Sequence, residues 1–345
     1  MAYVPPVPIK KSQTVAKTAS ETIKIGEVIN NRFTIIRILG EGGFGAVYEV
    51  EDDRNKERAA AKLELQKPPP DEPDLTLETN VLRCLQNSVH FTKYIQAGEY
   101  RAIRYLIMEL VDNSSKNISE LRRACPDKKF TTSTSVRVSL QMFEAIEHMH
   151  KLKLLHRDVK QANFTIGLGK KMRIIYLLDF GLVRKYVQKD GSLKPARPKA
   201  PFRVYSLTSD FSIPQGTRSV LECHMGDLPF PGAEVTKPKL ADIKESLVDD
   251  LFRTMDKVWR KFYDQLVILK YGENVPYEQM TKEMHSLIKE KKIDDKEPYD
   301  WEDGGVYAAA VRSVMAVKEP HKQTAADEKE KATGGTAGGK TGPTG

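Results

Sequence analysis

Cysteine is scarce in this chain of 345 residues: there are three, Cys84, Cys125 and Cys223. An odd number at irregular spacing, each near apolar residues, argues against a disulfide framework and fits free thiols in a reducing compartment. Zinc-module spacings are absent, as is any basic stripe interleaved with aromatics, so nucleic acid is not an expected partner. No apolar run reaches the length that spans a bilayer, so no membrane partner is expected. The Pro-rich start, Met1 to Lys11, lacks an apolar h-region and does not read as a secretory signal. Internal repeats are missing too. The expectation is a cytoplasmic protein, with nuclear entry left open.

What is present is ordinary globular material, 40% hydrophobic, with a formal net charge of +8. Such charge is commonly spread over solvated surface; its functional version is a preference for acidic or phosphorylated partners. Residues 1–26 and 318–345 are poor in large apolar residues and read as disordered tails. Between them, Phe33–Leu39, Ala46–Val50, Ala59–Leu65 and Tyr105–Met108 read as strands. Leu75–Leu85 has helical apolar spacing. Val136, Leu140, Phe143 and Ile146 predict one face of a helix that opens at Thr132 or Ser133. Further helices are predicted over Ile243–Val258, Phe262–Leu269 and Tyr277–Lys289. The coarse architecture is α+β, a small β-rich part followed by a larger helical one.

Gly40-Glu41-Gly42-Gly43-Phe44-Gly45-Ala46-Val47 fits G-x-G-x-x-G-x-V. Alone this is weak, since glycines also mark hairpin turns. Strand-like residues flank it on both sides, so it reads as a hairpin able to lay backbone N–H groups over phosphates, with Phe44 capping the tip. Lys62 ends Ala59-Ala60-Ala61-Lys62, one hairpin later, where a strand lysine reaches α- and β-phosphates. Glu78, on the following helix, is placed to hold that lysine by an ion pair.

The strongest signal is His156-Arg157-Asp158-Val159-Lys160-Gln161-Ala162-Asn163, which fits H-R-D-L-x-x-x-N with Val for Leu. Asp158 would orient or accept a substrate hydroxyl proton, Lys160 would neutralise a transferred phosphoryl group, and Asn163 would offer an amide oxygen to Mg²⁺. Asp179-Phe180-Gly181 follows an apolar strand, Ile174–Leu178, and supplies a carboxylate to the same metal. Phe180 is expected under the glutamate helix. Residues 334–341 satisfy a phosphate-loop expression, but low-complexity sequence with no flanking strand or helix makes that a decoy.

These residues resemble the protein kinase superfamily, and more narrowly the casein kinase I group. The likeness rests on H-R-D-V-K-Q-A-N-F over His156–Phe164 and F-G-L-V-R-K-Y over Phe180–Tyr186. Tyr299-Asp300-Trp301-Glu302 is similar to the tau-tubulin kinase type. The resemblance covers roughly Val28 to Met315. It implies a two-lobed fold over 27–317, with an N-lobe at 27–108, a hinge at 109–112 and a C-lobe at 113–317. It also implies ATP with Mg²⁺, Ser/Thr protein substrates and a monomer that needs no activation-loop phosphorylation. Leu39, Gly40, Glu41, Gly42, Gly43, Phe44, Gly45, Val47 and Ala60 would surround the nucleotide. Met108 would be the gatekeeper, and Glu109 to Val111 the hinge that receives adenine.

The departure from the family lies within 203–232. There the family has a Gly-Thr segment and a long helix opening with an Asp that ties to the catalytic loop. Only Thr217–Met225 is left to form that helix, and Asp227 comes too late to be its anchor. A shortened splice form or gene model, a divergent working kinase and a pseudokinase scaffold all stay open. Arg173, Arg184, Lys185, Arg197, Lys199 and Arg203 form a basic set around the activation segment that would attract acidic or pre-phosphorylated substrates.

Overall fold

The computed structural model describes residues 23–43, 45–68, 74–194, 223–224, 252–253, 255–269 and 273–318. Alternation builds the first part. In β3 (Gly45–Asp52), Ala46, Tyr48, Val50 and Asp52 turn inward while their neighbours do not, the period-2 pattern of a half-buried strand. It is one of six antiparallel strands in the order β1-β2-β3-β4-β6-β5. The others are β1 (Val28–Ile29), β2 (Phe33–Glu41), β4 (Arg58–Glu64), β5 (Tyr94–Tyr100) and β6 (Ile103–Glu109).

Asp52 is tolerated inside because Arg32 donates to both carboxylate oxygens, at 2.9 and 2.6 Å. These bonds hold its pKa below the ordinary carboxylate value, against the opposing effect of burial. Ile23, inside the stretch read as tail, is buried in the same core. The Gly26 N–H donates to Ile35 O at 2.8 Å, so ordered structure begins before residue 27.

Register decides which side chains of β4 face the site. Ala60 pairs with Met108 and Lys62 with both Val47 and Leu106. Directly opposed residues of antiparallel strands share a face, so Val47, Ala60, Lys62 and Met108 line one surface. Ala59, Ala61 and Leu63 turn to the other and join the sheet's own core. Helix α1 (Leu75–Cys84) is capped by Asp74, which accepts from the Thr76 N–H at 2.9 Å. Arg104 bridges Glu64 and Asp74 at 2.9 and 2.8 Å, which pins the start of α1 to the sheet.

The second lobe follows β7 (Asp112–Asn117) and is organised by α3 (Thr132–Lys151). Its cap is Thr131 rather than Thr132 or Ser133: Thr131 Oγ1 accepts from the Thr134 N–H. Thr131 in turn donates through N–H and hydroxyl to buried Asp300, at 2.7 and 2.9 Å. The Arg137 guanidinium lies 4.1 Å from the Tyr299 ring centre, and Tyr299 stacks on Trp301. The Tyr299–Glu302 run therefore clamps the opening of α3.

Helix α2 (Ile118–Ala124) buries Ser119 and Arg122, and strand β5 exposes Ile95 and buries no residue fully, so neither is announced by periodicity. Lys257–Val267 forms one helix, α4. The expected break between Val258 and Phe262 is absent, because Trp259, Phe262 and Leu266 make a continuous buried stripe. Helices α5 (Tyr277–Glu290) and α6 (Ala308–Lys318) complete the described part. Small strands β8 (Leu154–Leu155), β9 (Phe164–Ile166), β10 (Ile175–Leu177) and β11 (Arg184–Lys185) form, with β7, two short sheets, β10-β9-β7 and β11-β8. The expected two-lobed α+β arrangement is present. Among the described residues, no helix is long and apolar enough to cross a membrane.

Candidate active site

Three charged groups meet between the lobes. Lys62 Nζ lies 2.5 Å from Glu78 Oε2, which sits in the first turn of α1, and 3.9 Å from Asp179 Oδ1. Burial alone would lower the lysine pKa. The Glu78 and Asp179 charges, with the hydrogen bond to Glu78, outweigh it and raise the pKa above the ordinary value, so Lys62 is held as a cation.

The loop between β8 and β9 is fixed by its own side chains. His156 is wholly buried. Its Nε2 lies 3.1 Å from Leu178 O, and its Nδ1 lies 3.3 Å from the Asp158 N–H. A backbone carbonyl only accepts and an N–H only donates, so these partners assign the neutral tautomer with the proton on Nε2. Arg157 has φ of +68° and Asp179 φ of +65°, left-handed conformations that cost a side-chain-bearing residue energy and cluster at functional sites. Arg157 Nε donates to Leu182 O at 2.5 Å, which joins the two strained loops.

Asp158 Oδ2 accepts from Lys160 Nζ at 2.7 Å and from Asn163 Nδ2 at 3.1 Å. Asn163 Nδ2 also donates to Asp158 O at 2.8 Å. With the amide nitrogen committed, the Asn163 oxygen remains the acceptor. The Leu178 N–H donates to the backbone carbonyl of Asn163 at 2.8 Å, which holds the residue before Asp179 against the loop over His156–Asn163. Phe180 packs at 5.9 Å from both Phe91 and His156 and shares a core with Leu82 and Leu85 of the α1 region.

The glycine loop gives a sharper observation. A Cβ on Gly45 would come within 2.0 Å of Leu63 O, so packing alone forbids a side chain there. A Cβ on Gly40 or Gly43 would meet open space, and one on Gly42 only an ordinary contact. None of these three has a left-handed φ. The fold itself does not require glycine at 40, 42 or 43, so a close approach from outside the chain is the better physical reason for it. Leu39 and Glu41 lie on β2 beside them; Phe44 lies outside the described residues.

The hinge region holds a contact that sequence reasoning missed. Glu109 Oε2 accepts from the Lys93 N–H at 3.1 Å, and Glu109 Oε1 pairs with Lys171 of the C-lobe. Burial first, then the Glu109 charge and hydrogen bond, push the Tyr176 hydroxyl up to about 12. Val111 is buried beside this strand end. No local spacing links residues so far apart in sequence.

The basic set around the activation segment needs one correction. Arg173 does not belong to it: the guanidinium pairs with Glu302 at 2.9 Å and donates to Asp295 O and Lys296 O. That part of the cation set is a strut to the C-terminal clamp. Arg184 and Lys185 form β11. Arg197, Lys199 and Arg203, the phosphate-loop decoy and most of the shortened 203–232 stretch lie outside the described residues.

The donors present fit a hard divalent ion. Asp179 is half-exposed, and Leu178, the residue before it, is hydrogen-bonded to the backbone carbonyl of Asn163. Among the described residues no cluster of three acidic, His or Cys side chains could cage a metal alone. One carboxylate and one amide suit an ion that completes its shell with phosphate oxygens and water.

Comparison with known proteins agrees with this geometry. A family model described as "Protein kinase domain" matches residues 33–215. A probable serine/threonine-protein kinase of Dictyostelium discoideum is 31% identical over 291 residues, 80% of this chain and 58% of that protein. The serine/threonine-protein kinase spe-6 of Caenorhabditis elegans is 28% identical over 86% of this chain and 82% of its own length. A third relative, also from Caenorhabditis elegans and provisionally named as a casein kinase I, is 28% identical over 81% of this chain and 86% of its own. The chain thus spans little more than half of the Dictyostelium protein and most of the two nematode ones.

Proposed function

Because this chain belongs to the protein kinase family, we infer that it transfers the γ-phosphoryl group of ATP to serine or threonine hydroxyls of proteins. The observation that carries the reading is the convergence of Lys62, Glu78, Asp179, Asn163 and Asp158 from four separate segments around one cleft. Phosphoryl transfer asks little covalent chemistry of the protein; positioning and charge stabilisation dominate.

In this reading, Glu78 holds Lys62 extended towards the α- and β-phosphates. The backbone of residues 40–45 covers the triphosphate, which accounts for glycines that the fold does not need. Val47, Ala60 and Met108 line the adenine side on one sheet face, with the 109–111 backbone as hinge. Asp158 accepts or orients the substrate hydroxyl proton, and Lys160, already paired to it, offsets charge on the transferred group. Asn163 and Asp179 would hold Mg²⁺, which when bound neutralises charge on the phosphates. A pseudokinase scaffold is not favoured, since Lys62, Asp158 and Asp179 are all retained.

The catalytic-loop likeness and the provisionally named nematode relative support the casein kinase I group, and Tyr299–Glu302 supports the tau-tubulin kinase type within it. Arg184 and Lys185 support a taste for acidic or pre-phosphorylated substrates. A monomer in a reducing compartment, cytoplasmic and open to the nucleus, agrees with none of Cys84, Cys125 and Cys223 being in a disulfide.

Phosphoamino-acid analysis after incubation with γ-labelled ATP and an acidic protein tests the main reading. Phosphoserine or phosphothreonine is expected with the wild type and none with Lys62→Met. Label confined to tyrosine, or equal in both proteins, overturns it. Peptide arrays with and without a priming phosphate test the substrate preference.

A further inference from the structure

Gln161 lies in the catalytic loop between Lys160 and Asn163, inside the short 3₁₀ turn Gln161–Asn163. Its side chain is not available to substrate, since the residue is 3% exposed. Both ends of the amide are engaged. Oε1 accepts from Arg122 Nε of α2 at 2.9 Å, and Nε2 donates to Cys223 Sγ at 3.2 Å. Arg122 and Cys223 are themselves almost wholly buried.

The two partners are anchored in turn. Arg122 Nη1 donates to Lys128 O. The Cys223 carbonyl accepts from the Phe130 N–H at 3.2 Å and from the Ser135 hydroxyl at 2.8 Å. Gln161 therefore ties the turn that carries Asn163 to α2, to the start of α3 and to the segment around residue 223.

We propose that Gln161, held between Arg122 and Cys223, is a positioning residue that sets the catalytic-loop turn and so the placement of Asp158 and Asn163. This rests on the kinase reading above. Gln161 is three residues from Asp158 and two from Asn163, and the turn between them closes through the Asn163 N–H to Lys160 O bond at 2.9 Å. A shift of the turn moves the two catalytic side chains together, because Asn163 Nδ2 is bonded to Asp158. A misplacement of that kind appears in the chemical step and not in nucleotide affinity, since Lys62, Glu78 and the glycine loop belong to the other lobe. Sulfur is a weak acceptor, so the Cys223 half of the clamp contributes modestly, while the Arg122 half is charge-assisted and the stronger of the two.

The test uses the full chain and measures kcat, KM for ATP and thermal midpoint. The variants are Gln161→Met, Gln161→Glu, Cys223→Ala, Cys223→Ser and the double variant Gln161→Met/Cys223→Ala. Gln161→Met keeps the volume and removes both bonds; we expect kcat to fall about tenfold with KM for ATP within about twofold. Gln161→Glu keeps the acceptor for Arg122 and removes the donor to Cys223; about a threefold fall is expected.

Cys223→Ser retains an acceptor and should restore most of what Cys223→Ala loses. In the double variant the two effects on kcat should be non-additive, as for side chains that act through one contact. Wild-type kcat in Gln161→Met, or additive effects on kcat, overturns the proposal. So does a fall in activity that merely tracks the thermal midpoint across all variants. Absence of transfer by the wild-type chain would instead refute the kinase reading itself.

Discussion

Glu78→Gln isolates the charge of one partner in the Lys62 pair while preserving shape and a hydrogen-bond acceptor. Glu78 is 7% exposed and 2.5 Å from the ammonium. Removing one partner from a buried ion pair ordinarily costs about 3–5 kcal/mol. Here the loss is smaller, because Lys62 is 29% exposed and keeps Asp179 at 3.9 Å. At an effective dielectric of about 20, that remaining contact is worth about 4 kcal/mol before desolvation and before discounting for the half-exposed Asp179.

The net positional penalty on Lys62 is therefore about 2 kcal/mol, or about a 30-fold fall in kcat/KM for ATP. The KM for protein substrate should stay unchanged, since Glu78 lies under the nucleotide side of the cleft. Steady-state assays with ATP varied at saturating protein substrate read the effect. A change of less than about threefold would show that Glu78 does not hold Lys62 in the working enzyme.

The glycine loop gives a paired prediction. Gly42→Ala should leave the thermal midpoint unchanged and raise KM for ATP, because a Cβ there meets only an ordinary contact. Gly45→Ala should unfold at lower temperature, since its Cβ would collide with Leu63 O; equal thermal behaviour of the two would contradict the geometry. His224, packed on Trp259 at 4.7 Å, is pushed by burial down to about 4, opposed by the Asp256 charge. The native state keeps it neutral while the unfolded chain protonates near the ordinary value. Stability should therefore be fully present above about pH 6.5 and decline towards pH 4, by about 3 kcal/mol in all. Urea midpoints of wild type and His224→Gln across that range check this; parallel curves refute it.

Much of the site was legible because its chemistry is written in short contiguous runs. His156–Asn163 and Asp179–Gly181 each carry several candidate side chains on one loop, and spacing placed Lys62 and Glu78 on a strand and the next helix. The missing parts depend on partners distant along the chain. Glu109 with Lys171, and Gln161 with Arg122 and Cys223, meet only through tertiary packing and leave no period behind. Arg173 looked like part of a basic patch because its neighbours in sequence are basic, yet its partner Glu302 lies 129 residues away. The short helix α2 escaped notice because its buried Arg122 reads as a surface residue until Gln161 is seen beside it.

The central claim is that Asp158 serves the chemical step and not nucleotide binding. Its most direct test is phosphate transfer from γ-labelled ATP by Asp158→Asn, with nucleotide affinity measured on the same protein. The account predicts transfer reduced by about 10²–10⁴-fold with the dissociation constant for ATP nearly unchanged. Transfer at the wild-type rate would contradict it.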